Sequence, residues 1–142
     1  MNEDKRFLML DVYGDLVELH GTLLNIGALL GNTMEMFQAA PGLCFAVSTT
    51  PSARYAEPNL HLSWYARRCS EVVAPFFGSA VVFGGLQLDP DAPRLVDLDP
   101  GCEQQLRASV AATCKWFAAH PEDAARGSKL ANRLRHPEAA HG

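Results

Sequence analysis

The chain has 142 residues, 48% of them apolar and 20% charged, a composition that supports one packed domain and excludes the disordered and fibrous classes. A formal net charge of −4 gains nothing from a phosphate backbone, which argues against nucleic acid as the main partner. The densest basic groups, Arg67-Arg68 and the set Lys129, Arg133 and Arg135, read as solvated faces.

The opening residues, MNEDKRFLMLDVYGD, place acidic residues before a short apolar run that Asp11 ends, so they do not read as a secretory signal. The four cysteines, Cys44, Cys69, Cys102 and Cys114, form no CxxC pair. Together these features predict free thiols in a reducing cytoplasm.

Arg6 to Val12 reads as a buried strand closed by Gly14. Asp15 and Glu18 then have the spacing of a capping box. Leu16, Leu19, Leu23, Ile26, Leu30, Met34 and Phe37 follow at steps of three and four, which predicts one amphipathic helix from Asp15 to Phe37. Polar Thr22, Asn25, Asn32 and Thr33 and several glycines interrupt it, so it does not read as a membrane span. Its Gly27-Ala-Leu-Leu-Gly31 notch, flanked by Leu23 and Leu30, is a candidate close-packing surface, facing either the protein's own core or a second copy of the helix.

Leu43 to Thr49 reads as a buried strand, and the stretch TPSARYAEP as a loop. Pro58 suits the first turn of a second helix with Leu62, Tyr65, Cys69, Val72 and Phe76 inward and Trp64 alongside; Pro75 limits its length. Ser79 to Leu88 is a β-branched, apolar strand with Gly84-Gly85 marking a bulge or a close backbone approach. The short strand Arg94 to Leu98 pairs with it across a DPDAP turn. Pro100-Gly101 open a third helix with Cys102, Leu106, Val110, Cys114 and Phe117 on one face, stopped at His120-Pro121. A last short helix follows, and residues 137–142 read as a frayed tail.

The expected fold is therefore α+β: a three- to five-stranded sheet covered by three main helices in a single layer-packed domain over residues 1–136. No phosphate loop, GxSxG elbow or HExxH motif occurs. The candidate thiol chemistry is Cys102, at a helix start, or Cys69, with His61 or His120 as base. Asp89, Asp91, Asp97 and Asp99 are the only residues patterned for an oxygen-ligated metal, and they also suit turns.

Two family resemblances arise. The LVDLDPG stretch, through Asp97 and Asp99, resembles the strand-borne DxD of the haloacid dehalogenase-like phosphotransferases, although it sits late in the chain. Met34 to Thr50 resembles the roadblock/longin-type interaction domains, which implies an α-β-α arrangement and a protein-binding role; a proline-punctuated loop replaces the strand expected after VSTT.

The expected function is a non-catalytic protein-interaction module, an adaptor, inhibitor or chaperone-like protein, acting through apolar helix faces on a protein partner or a second copy. Gly27, Gly31, Leu23, Leu30, Trp64, Arg67 and Arg68 are the candidate binding residues. The alternative is a small-molecule-binding protein or a small thiol enzyme. No cofactor, resident metal, nucleic acid or membrane is expected.

Overall fold

A computed structural model describes residues 4–50, 56–69, 75–88 and 93–135. The backbone of Cys69 is described, but its side chain and those of Arg68 and Arg135 are not; Asp89, Asp91 and the tail 137–142 also lie outside the described residues.

The element order is β1 (Lys5–Leu10), β2 (Leu16–Gly21), α1 (Leu23–Leu29), β3 (Met34–Ala40), β4 (Leu43–Ser48), α2 (Leu60–Cys69), β5 (Ala80–Phe83), β6 (Gly85–Leu88), β7 (Pro93–Val96), α3 (Pro100–Ala119) and α4 (Pro121–Arg135). Five strands make one antiparallel sheet in the order β2-β1-β5-β4-β3, and β6 and β7 form a separate hairpin. The α+β class is as expected, with four helices among the described residues instead of three main ones.

The predicted Asp15–Phe37 helix is the main correction. β2 pairs along its whole length with β1, from Leu10↔Leu16 to Lys5↔Gly21, and β3 pairs with β4. Only the seven-residue α1 between them is helical. The three-four spacing arose because Leu16 and Leu19 pack into different clusters on opposite faces of the sheet. Two one-per-face strand residues thereby mimic a helical step. Asp15 and Glu18 cap nothing: Asp11 Oδ1 instead accepts from the backbone N–H groups of Tyr13 and Asp15, closing the β1–β2 turn with Gly14 at φ +88°. The helix start is Thr22, whose N–H donates to Asn25 Oδ1 at 2.7 Å. Because Met34 to Ala40 is a strand, the α-β-α resemblance loses its first helix.

Strand alternation divides the core. On one face Leu8, Leu10, Leu43, Phe45, Val47, Ala80 and Val82 meet Leu62 and Tyr65 of α2 and Leu106 and Val110 of α3. On the other, Phe7, Ala46, Val81 and Phe83 meet Ile26 and Leu30 of the α1 region and Leu95 of β7. Gly84 separates β5 from β6, and a Cβ there would lie 2.0 Å from the Asp97 carbonyl oxygen, the close backbone approach that the paired glycines predicted.

Buried Asn59 starts α2 where the sequence had suggested Pro58. Its Oδ1 accepts from the Leu62 N–H at 3.0 Å, while Nδ2 donates to the carbonyls of Leu10 (3.2 Å) and Gly78 (2.9 Å). One amide thus caps the helix and ties it to the sheet.

Candidate functional site

α3 and α4 meet in a tight corner. Pro121 occupies the first position of α4, where its missing N–H costs nothing, and the His120 N–H donates to the Trp116 carbonyl at 2.8 Å. The His120 ring stacks on the Trp116 indole with centroids 3.9 Å apart. The indole N–H reaches forward to Asp123 Oδ2 at 3.0 Å. Trp116 is therefore fixed in orientation while 54% exposed.

This corner, with α2 beside it, bounds a groove of about 810 Å³. Thr113, Phe117 and Ala131 contribute to its wall, and Leu60, Trp64, Leu130 and Leu134 add apolar surface. α2 passes α4 at ordinary contact distance here: a Cβ at Gly127 would stand 3.5 Å from both methyls of Leu60. Trp64, Leu130 and Leu134 are 53%, 57% and 59% exposed, so together with Trp116 they form an apolar surface open to water. Among the described residues, the charged groups of the lining are Arg67, Arg126 and Asp123. Asp123 already accepts from Trp116 and has a 3.6 Å contact with Arg126.

Of the sequence candidates, Trp64 and Arg67 fall in this groove. The side chains of Arg68 and Cys69 lie outside the described residues. Leu23 and Leu30 pack instead against the opposite face of the sheet, with Leu30 fully in the core. Gly27 is no tight notch, since a Cβ would meet only Asn32 Oδ1 at 3.5 Å, and Gly31 serves the turn after α1 at φ +79°. A seven-residue helix cannot present the continuous GxxxG seam read from the sequence. Sequence reasoning missed Trp116, Arg126, Leu130 and Leu134. The available signal was Leu130 and Leu134 four apart, with Gly127 and Ala131 on the same side of a helix noted only for alanine and arginine.

The described thiols can be placed against the histidines, Cys69 apart. Cys102 Sγ contacts the Pro41 carbonyl oxygen at 3.4 Å, and His120 is stacked at the α3–α4 corner. Among the described side chains, Cys114 lies beside a histidine: its Sγ is 3.9 Å from His61 Nδ1, under the β1–β2 turn. Burial raises the Cys114 thiol, with Asp15 and Asp11 adding to the shift, and burial lowers His61. Both shifts favour the neutral pair, the opposite of an activated thiolate.

Asp99 caps α3 by accepting from the Cys102 N–H at 3.0 Å, and Asp97 Oδ1 accepts from the Arg6 N–H at 3.3 Å. Among the described residues no group of three or more His, Cys, Asp or Glu side chains is placed to hold a metal ion, and no helix is long and apolar enough to cross a membrane. No family model, curated protein or solved structure matches this chain.

Proposed function

We propose that this chain is a non-catalytic protein-interaction module whose docking surface is the α2–α3–α4 groove. The observation that carries this reading is the orientation of Trp116, held by His120 stacking and the Asp123 hydrogen bond while half its surface faces water. Rigid, exposed aromatic anchors beside aliphatic side chains supply binding energy at little entropic cost. The absence of any CxxC pair among the four cysteines supports action in a reducing compartment such as the cytoplasm. The alternative, a small apolar ligand, draws support from the groove volume, which falls in the range of about 300–1,000 Å³ used by small-molecule sites.

A photo-crosslinking residue at Leu130, introduced in the source cells, tests the reading, with the same residue at exposed Gln87 on β6 as control. The expected result is one protein adduct from position 130, reduced by Trp64→Ser and absent from position 87. Absence of any protein adduct from position 130, with a small molecule retained by the purified protein in native mass spectrometry, would transfer the groove to the alternative.

A further inference from the structure

We infer that the groove's occupant is an amphipathic helix of a partner protein carrying acidic residues beside its apolar stripe. This rests on the protein-docking reading above and adds the partner's shape and charge.

The shape follows from the lining. On α4 it runs from Asp123 to Leu134, which at about 1.5 Å per residue is a trough roughly 17 Å long, or three helical turns. A helix presenting anchors at i, i+3/i+4, i+7 and i+11 spans that length and lays one apolar face into such a trough. Small ligands are instead buried over roughly 70–90% of their surface, and a wall of half-exposed Trp64, Trp116, Leu130 and Leu134 does not supply that enclosure.

The charge follows from the rim. The whole chain carries −4, yet the described residues line the groove with two arginines and one carboxylate. That carboxylate, Asp123, is occupied by the Trp116 indole. The Arg126 side chain is 77% exposed and touches Asp123 only at 3.6 Å. Arg67 is exposed, and among the described residues it has no acidic partner. Glutamates flanking the apolar stripe of an incoming helix would meet both guanidinium groups, with Arg able to hold a carboxylate by two hydrogen bonds.

The test uses three fluorescein-labelled peptides about 14 residues long, matched to the trough by the helical rise. All share one leucine stripe and differ in having Glu, Gln or Lys beside it. Binding is read by anisotropy and by the fluorescence of Trp64 and Trp116, the chain's two tryptophans. The Glu peptide should bind about tenfold more tightly than the Lys peptide, equivalent to about 1.4 kcal/mol. That preference should shrink at high salt and in Arg67→Gln and Arg126→Gln, exposed substitutions whose folding is checked by circular dichroism. Equal binding of all three peptides overturns the acidic partner while leaving the docking groove standing. Binding of none overturns both readings. Tight binding of palmitate with no peptide binding assigns the groove to a lipid-like ligand. Self-association removed by Trp116→Ser, with no peptide binding, assigns it to a second copy.

Discussion

Arg6 on β1 and Glu103 in the first turn of α3 form a two-pronged ion pair, with Nη1 and Nη2 of the guanidinium donating to the two carboxylate oxygens. Arg6 also meets Glu18 on β2, and Arg107 donates to Glu103 Oε2 at 2.8 Å. The pair crosses 97 residues of sequence and fastens the third helix to the first strand. Glu103 is held at a pKa of about 2 by its hydrogen bond from Arg6, helped by Arg107. A carboxyl depressed from 4.5 contributes stability that is complete above that value and is lost as pH falls toward about 2. Glu103→Gln should cost on the order of 1–2 kcal/mol at neutral pH and lower the melting temperature by about 5 °C. It should also flatten the decline in stability between about pH 4.5 and pH 2. Calorimetric melting across that range checks both.

His61 acts in a different pH window. It is 7% exposed, and burial lowers its pKa from 6.5, against the opposing pull of Asp11 and Asp15 in the adjoining turn. A histidine held neutral in the fold and free to protonate when unfolded stabilises the fold above 6.5 and withdraws that stability as pH falls below it. Melting temperature should therefore drop between about pH 7 and pH 5.5, before Glu103 begins to titrate. His61→Gln should start from a lower melting temperature but lose most of that slope.

The legible parts of this fold are those in which one helix face or one buried strand carries the pattern. α3 shows its inward set, Leu106 and Val110 with Cys102 and Cys114 at the margins, as a repeated four-residue step. β5 shows four consecutive buried residues, Ala80 to Phe83, because both faces of a central strand are covered. Edge strands β2 and β3 are not legible in this way. Val17 is half exposed, and the bulge between Gln38 and Ala40 breaks the alternation of β3. The groove was legible in Trp64 and Arg67 alone, since Trp116 joins that face through the packing of α3 on α2, and Leu134 through the turn at His120-Pro121. The meeting of Cys114 with His61 likewise depends on how α2 crosses α3, which neither helix's own spacing encodes.

Gly14 shows how tightly that crossing is fixed. Its φ is +88°, and a Cβ would stand 2.5 Å from Cys114 Sγ and 2.8 Å from His61 Cε1. Gly14→Ala combines a disfavoured backbone with a clash and should cost about 2–4 kcal/mol. Removing the sulfur in Gly14→Ala/Cys114→Ala relieves one contact and leaves the backbone strain. The double variant should then be less destabilised than the sum of the two single variants, a coupling read from urea denaturation midpoints. Simple additivity would mean that the turn relaxes away from α3 and that the contact is not constraining.

The thiols decide between the interaction reading and its enzymatic alternative. Burial raises Cys44, and it raises Cys114 with help from Asp15 and Asp11, while His61 beside Cys114 is pushed toward neutrality. A nucleophilic cysteine requires the reverse, a lowered thiol stabilised by a cation or a helix start. In a Cys69→Ser background, which removes the thiol outside the described side chains, iodoacetamide near neutral pH should alkylate Cys44 and Cys114 about tenfold or more slowly in the folded protein than in urea. Peptide mass mapping at timed intervals reads each site separately. The same mapping tests Cys102, in the first turn of α3 with its sulfur against the Pro41 carbonyl oxygen at 3.4 Å. A single cysteine reacting faster in the folded state than in urea would mark an activated thiol and return weight to catalysis.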